Sequence, residues 1–282
     1  MKNILVPTDF SANAESALHY GLHVLSDEPC NFYILHVASL LASAEVTNPI
    51  NETIIKVKSK SASKTKEQLT KTLEQTKKES IHKNHHFYAL YDSGFIIETI
   101  KKYIEAYSID LIIMGTKGAS GLMEKVVGST AGDVLTKVKC NTLVVPQEVE
   151  FKKPREIAFP TDFNIYYAHN ILNAIYKVMA LNDGQLRIMH VGKEGIQLNQ
   201  EQIGNKSFLI DYLNESFEHR HSFHLLTNKS IQAAIQCFVE SRDIDMIIMV
   251  AKNLNFIQQI LFDSTVEKIS FHTKVPFYVI HE

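Results

Sequence analysis

Cysteine is scarce in this chain of 282 residues, and so is any excess of one charge. Cys30, Cys140 and Cys237 are odd in number and far apart, which excludes a disulfide framework and a zinc-ligand pattern and indicates reduced thiols. The 29 basic and 31 acidic residues leave a net charge of −2, so no overall field favours nucleic acid or an anionic membrane. We therefore expect no nucleic-acid partner.

Long apolar runs are absent as well. No run reaches the length that is needed to cross a bilayer. The first residues lead directly into a predicted strand and turn, instead of the apolar core of a signal peptide. We therefore expect a cytoplasmic protein that does not associate with membranes.

An internal repeat predicts the domain organisation. The segment 156–164 repeats 3–11, with Pro-Thr-Asp-Phe identical in both, and 243–249 repeats 108–114. In each copy, short apolar runs alternate with segments of helical apolar spacing, which is typical of a doubly wound parallel sheet with helices on both faces. The sequence therefore predicts two tandem five-stranded α/β domains, at 1–148 and 154–282, that are joined by a charged linker. The second copy is shorter by about 18 residues, in the region of a long lysine-rich helix.

The glycines of this glycine-poor chain are concentrated in one loop. Five of the 11 lie between Gly115 and Gly132, directly after the apolar run 109–114. Gly128, Ser129 and Thr130 then open a segment whose apolar residues recur at helical spacing. The loop therefore joins the end of a predicted strand to the start of a predicted helix.

This arrangement suits a phosphate group. Glycines let the backbone approach a ligand closely, and the free N–H groups at the start of a helix attract an anion. Gly115, Gly118, Gly128 and Ser129 follow the spacing G-x2-G-x9-G-S/T, which is neither of the two common phosphate loops. A glycine-rich turn without a ligand is the alternative interpretation of the same residues.

The spacing resembles the ATP-binding signature of the universal stress protein family, and the resemblance extends over both halves of the chain. It implies the strand order 3-2-1-4-5 in each half, so that strands one and four flank the point where the order reverses and ligands bind. It also implies ATP as the ligand. The residues that match the family's site are Pro7, Thr8, Asp9, Val37, Met114, Gly115, Gly118, Gly128, Ser129 and Thr130.

Asp9 has two interpretations. An aspartate that follows a strand often caps the next turn with its own side chain, and the resemblance also places Asp9 beside the ligand. Hard cations bind carboxylate and phosphate oxygens together, so it stays open whether the ATP carries a Mg²⁺ ion held by Asp9.

The second copy departs from the signature. Val250 replaces Gly115, Asp263 replaces Gly128, and Asn253 takes the place of the second glycine. A valine side chain blocks close approach of the backbone, and a carboxylate at the start of the helix repels a phosphate. We therefore predict that only the N-terminal domain binds ATP.

Three classes of function stay open. The first is an adenine-nucleotide-binding regulatory protein of the stress response, with a protein partner that the sequence does not identify. The second is a slow ATP hydrolase, although no general base or pair of carboxylates is recognisable near the glycine loop. The third is an interaction module that binds no nucleotide.

Two further features bear on assembly and metal binding. The closing strands, 142–145 and 277–280, are placed to pair within one chain as a pseudo-dimer, which leaves little of that edge for a homodimer. His82, His85 and His86 form the densest histidine cluster, but no cysteine or carboxylate set accompanies them, so a metal site is disfavoured. His36 and His190 occupy equivalent strand ends, which indicates a shared packing or hydrogen-bonding role.

Overall fold

The computed structural model describes residues 1–38, 51–80, 82–116, 129–147, 149–192, 197–228, 230–251 and 275–281, and in the second range the side chains from residue 63 onward. Strands and helices alternate along the first half of the chain. They are β1 (Lys2–Pro7), α1 (Ala12–Val24), β2 (Cys30–Ala38), α2 (Asn51–Glu79), β3 (His86–Ser93), α3 (Ile96–Tyr107), β4 (Leu111–Gly115), α4 (Ser129–Lys137) and β5 (Thr142–Val145).

The second half repeats the alternation. Its elements are β6 (Glu156–Pro160), α5 (His169–Asn182), β7 (Gln185–Gly192), α6 (Gln200–Ser216), β8 (His221–Thr227), α7 (Ile231–Ser241), β9 (Met246–Val250) and β10 (Phe277–Ile280). The long lysine-rich helix α2 has 29 residues, whereas its counterpart α6 has 17. The shorter second copy was predicted from the register of the repeat, and this pair of helices accounts for much of the difference.

All ten strands belong to one sheet, in the order β3-β2-β1-β4-β5-β10-β9-β6-β7-β8. Each half therefore has the predicted order 3-2-1-4-5, and its strands are parallel within the half. The halves meet where β5 and β10 pair antiparallel, with Val144 opposite Phe277 and Leu143 opposite Tyr278. The predicted pairing of the closing strands within one chain is confirmed.

The sheet is buried on both faces because consecutive strand residues are apolar. Ile4 and Val6 belong to a cluster on the face covered by α1, α2, α5 and α6, whereas Leu5 belongs to a cluster on the face covered by α3, α4 and α7. Continuous apolar strands of this kind are expected in a doubly wound sheet. Within the described residues, no helix combines the length and the apolar character that crossing a bilayer requires.

Candidate nucleotide crevice

The carboxyl ends of β1 and β4 form the opening at which the strand order reverses. The two strands pair at Ile4–Leu111 and Leu5–Ile112, and the described ladder between them extends no further toward their carboxyl ends. β1 continues beside β2 as far as Pro7, and β4 continues beside β5 as far as Gly115. Because each strand follows its outer neighbour, a crevice opens between Pro7 and Gly115.

The turn after β1 is held by its own side chains. The backbone N–H of Thr8 donates to the Leu35 carbonyl at 2.8 Å, and the Thr8 hydroxyl accepts from the Phe10 N–H at 3.0 Å. Asp9 Oδ1 accepts from the Ser11 N–H at 3.0 Å, which is the capping role that the sequence predicted. Phe10 has a positive φ of 61°. A contact between Asp9 and a ligand stays a prediction.

His36 holds the same turn from the neighbouring strand. Its Nδ1 lies 2.8 Å from the Thr8 carbonyl oxygen, so this nitrogen carries a proton and donates, and its ring stacks on Phe10 with centroids 4.6 Å apart. In the second half His190 Nδ1 lies 2.9 Å from the Thr161 carbonyl and the ring stacks on Phe163. The shared packing and hydrogen-bonding role of the two histidines is confirmed.

Gly115 lies against Asn13 of the first turn of α1. A Cβ atom at Gly115 would come within 2.6 Å of Asn13 Cγ and 2.7 Å of both its terminal atoms, distances that real Cβ atoms do not tolerate. The Asn13 side chain is almost fully buried, with 3% of the residue exposed. Asn13 was not among the predicted site residues, although a polar residue on the apolar stripe of α1 was an available signal.

The structure brings most of the predicted site residues to one edge of the sheet. Pro7 and Met114 are buried, Thr8, Val37 and Gly115 are half-buried, and Asp9, Ser129 and Thr130 are exposed. Ser129 and Thr130 are the first two described residues of α4, where the sequence predicted a helix. Gly118 and Gly128, and also Asn253 and Asp263 of the second copy, lie outside the described residues.

The equivalent turn of the second half is filled by protein. The Tyr167 ring is fully buried, and its hydroxyl lies 2.7 Å from Thr161 Oγ1. Burial raises the pKa of the Tyr167 phenol, which keeps its proton in place for this hydrogen bond. From α6, Gln202 donates to the Asp162 carbonyl at 2.7 Å and Asn205 donates to the Phe163 carbonyl at 2.9 Å.

The first half keeps open space at the corresponding turn. A cavity of about 240 Å³ lies between α1 and α2, and Thr8, Phe10 and Ser11 form part of its wall. At the end of the fourth strand, Val250 is buried where the first half has Gly115. The two halves therefore share a backbone plan but differ in the side chains that they place beside the Pro-Thr-Asp-Phe turn.

Comparison with known proteins decides the family. The model of the universal stress protein family (Usp) matches residues 1–146, which is slightly more than half of the chain. The chain belongs to the universal stress protein family. It is 27% identical over 146 residues to the universal stress protein YxiE of Bacillus subtilis, which covers 50% of this chain and 97% of the relative. It is 28% identical over 158 residues to the universal stress protein MJ0577 of Methanocaldococcus jannaschii, which covers 52% of this chain and 96% of the relative.

A solved universal stress protein has the same fold over the whole length. The crystal structure of a universal stress protein from Archaeoglobus fulgidus aligns with 99% of this chain and 96% of its own, with a TM-score of 0.68 and 19% sequence identity. At this level of identity the likeness shows the fold alone. Both halves of this universal stress protein therefore follow an arrangement that has been seen experimentally.

Proposed function

We propose that this universal stress protein binds ATP in the crevice of its N-terminal half and that nucleotide occupancy regulates a protein partner in the stress response. The proposal includes the division into domains at 1–148 and 154–282. It also includes a C-terminal half that binds no ATP in the equivalent position. The ligand set is the one that the family signature implies, from the turn at Pro7 to the helix start at Thr130.

The observation that carries the proposal is the close approach of Gly115 to Asn13 at the switch point. A side chain at position 115 has no room, so the chain leaves β4 with a bare backbone beside the crevice. α4 then begins at Ser129, and the free N–H groups at the start of a helix attract phosphate. These two features together support an anionic ligand at this place.

The asymmetry between the halves supports ATP binding in the first half only. Tyr167 occupies the space beside Thr161, and Gln202 and Asn205 occupy the backbone carbonyls of the following turn. Val250 adds a branched side chain at the end of β9. A nucleotide at this turn of the second half would have to displace the buried Tyr167 and the hydrogen bonds of Gln202 and Asn205.

The two aspartates of the repeat provide a matched test. Asp9 and Asp162 both accept the N–H two residues further on, from Ser11 and from Asn164, at 3.0 Å in each case. Asp9→Ala and Asp162→Ala therefore remove the same cap, and only Asp9→Ala is expected to abolish ATP binding. Isothermal titration with Mg-ATP measures stoichiometry, and one site per chain is expected for the wild type and for Asp162→Ala.

A second variant tests the glycine loop. Gly128→Asp copies Asp263 of the second half into the first, and we expect it to remove the single site. Two sites per chain would contradict the proposed asymmetry. No saturable heat with the wild type would reject nucleotide binding and would leave the interaction module as the function.

A further inference from the structure

The turn between α2 and β3 concentrates positive charge. A concavity of about 340 Å³ lies at this turn, and its basic lining residues are Lys77, His82, Lys83 and His86. The other lining residues are Ser80, His85, Phe87 and Tyr88. Among the described residues, no acidic side chain belongs to this lining. In the part of the chain that the structure describes, none of the four basic side chains forms an ion pair. We call this surface the basic pocket.

His85 fixes the shape of the basic pocket from below. It is buried, with 7% of the residue exposed, and its Nε2 lies 3.0 Å from the Glu28 carbonyl and 3.2 Å from the Leu25 carbonyl. Burial lowers the pKa of the His85 imidazole, so the ring is neutral and Nε2–H is the donor. The opposite nitrogen, Nδ1, accepts from the Ser80 hydroxyl at 3.2 Å. His85 therefore pins the turn to the segment after α1 and contributes no charge of its own.

His82 presents a hydrogen-bond donor. Its Nδ1 accepts from the Asn84 N–H at 3.1 Å, so a neutral His82 ring carries its proton on Nε2. Lys77 and Lys83 are exposed and each add an ammonium group with three donors. The basic pocket therefore offers donors and positive charge together.

Nearby carboxylates are engaged elsewhere. Glu79 of the last turn of α2 pairs with His19 at 3.0 Å, and Glu28 pairs with Lys2. The last turn of a helix also carries a partial negative charge, and Lys77 and Lys78 lie where they offset it. This offset uses part of the charge of Lys77 and none of that of Lys83. A surplus of positive charge therefore remains at the turn.

We infer that the basic pocket binds a free oligophosphate anion, such as a diphosphate or triphosphate group, at a site separate from the nucleotide crevice. His86 is the first residue of β3, so the pocket lies at the amino edge of the parallel strands, and the crevice lies at their carboxyl edge. Ammonium and imidazole donors form short, strong hydrogen bonds to phosphate oxygens. The four groups surround a single concavity, whereas a nucleic acid needs a stripe of basic groups along its backbone.

Isothermal titration with inorganic tripolyphosphate tests the site. The titration uses the Gly128→Asp variant, so that binding of the probe in the crevice is reduced. It is repeated with wild-type protein that is saturated with ATP. We expect one saturable site per chain. The double variant Lys77→Gln/Lys83→Gln is expected to weaken it by about tenfold or more, as loss of two charge-assisted contacts predicts.

The control variant Lys101→Gln/Lys137→Gln removes the same charge from exposed helix pairs, with Glu98 and Asp133. Its affinity is expected to stay within about twofold of the parent, because screening limits distant charges. Equal weakening by both double variants would overturn the proposal in favour of diffuse attraction. If Lys77→Gln/Lys83→Gln binds tripolyphosphate as tightly as its parent but has a lower melting temperature, the proposal is wrong. These lysines would then only stabilise the end of α2. The proposal would also be wrong if single-stranded RNA displaced tripolyphosphate and longer RNA bound more tightly. That result would indicate an extended binding surface.

Discussion

At the scale of single residues, Gly115 lies close against the side chain of Asn13. They are about a hundred positions apart in sequence, and the contact exists because α1 crosses behind the end of β4. The buried Asn13 amide takes the space that a side chain at position 115 would need. The contact with Asn13 therefore favours glycine at position 115, whatever the backbone dihedral angles of that residue are.

We predict that Gly115→Ala destabilises the protein. The added methyl group meets Asn13 at 2.6 Å, and overpacking of this kind costs about 1–3 kcal/mol. The free energy of unfolding in urea measures the cost. The double variant Gly115→Ala/Asn13→Ala removes the obstructing amide and is expected to recover part of the loss.

Gly204→Ala is the matched control for this prediction. Gly204 lies inside α6, and a Cβ atom there would meet nothing within 4 Å. Alanine at this open helical position is expected to raise the free energy of unfolding by about 0.5–1 kcal/mol. Equal stability of Gly115→Ala and the wild type would show that α1 shifts freely away from β4.

At the scale of elements, the antiparallel pair β5–β10 is closed at one end by His281. The His281 N–H donates to Asn141 Oδ1 at 2.9 Å, across the join between the two halves. The His281 Nε2 atom is buried and makes no hydrogen bond within the described residues. Burial lowers the pKa of His281 to about 4. The join therefore contains a histidine that folds in the neutral form.

This histidine predicts a pH dependence of stability. The pKa of an unfolded histidine is about 6.5, so between pH 6.5 and 4 the unfolded chain binds more protons than the folded chain. The neutral His281 side chain makes its full contribution to the free energy of unfolding above pH 6.5. That free energy falls by up to about 3 kcal/mol as the pH drops to about 4. Urea unfolding of His281→Gln at pH 7 and pH 4.5 should show a smaller drop than the wild type.

The exposed His219 supplies the comparison. Its side chain is 89% exposed, so water surrounds it in both states, and His219→Gln should keep the pH dependence of the wild type. If His281→Gln and the wild type lose the same stability on acidification, the buried imidazole is not the cause. The loss would then belong to carboxylates elsewhere in the fold.

The elements were largely predictable because their signals are local or repeated. The bounds of β5 and β10 were predicted to the residue. β4 was predicted to begin at Ile109 and begins at Leu111. The strand order followed from the family resemblance together with the repeat, and apolar periodicity alone does not supply it.

The packing of Tyr167 against Thr161 was not predictable in the same way. Tyr167 can lie there because α5 begins only at His169, whereas α1 begins directly after Ser11. A shift in a helix start is the least certain part of a sequence interpretation. The Asn13 contact depends on how closely a helix approaches a strand, and periodicity predicts which face is buried but not the distance.

At the scale of the whole molecule, the linker between the halves is fastened to both of them. The Phe151 ring packs against Tyr20 and His23 of α1, with centroids 5.3 and 4.9 Å apart. Lys152 pairs with Asp245 at 2.7 Å. The sheet itself continues across β5 and β10, where Phe277 and Val279 are fully buried. The halves therefore have a join that does not depend on the covalent linker.

We predict that cutting the linker leaves the halves together. A protease site inserted between Val149 and Glu150 would yield two fragments that still elute as one species of 32.0 kDa in size-exclusion chromatography. Val144→Pro in the same cleavable chain should release them, because Val144 lies between β4 and β10 and proline removes its N–H donor. Separate elution of the fragments without that substitution would show that the linker holds the halves.

The continuous sheet across β5 and β10 also has a genetic consequence. In an assembly of two identical chains, every substitution appears twice, so a mutation that closes one binding crevice closes both. Here the two units are encoded separately within one chain, and Tyr167 and Val250 can differ from their counterparts without touching the first unit. Substitutions can therefore change the crevice of one half and leave the other half unchanged, while the two halves keep the arrangement of a symmetric pair.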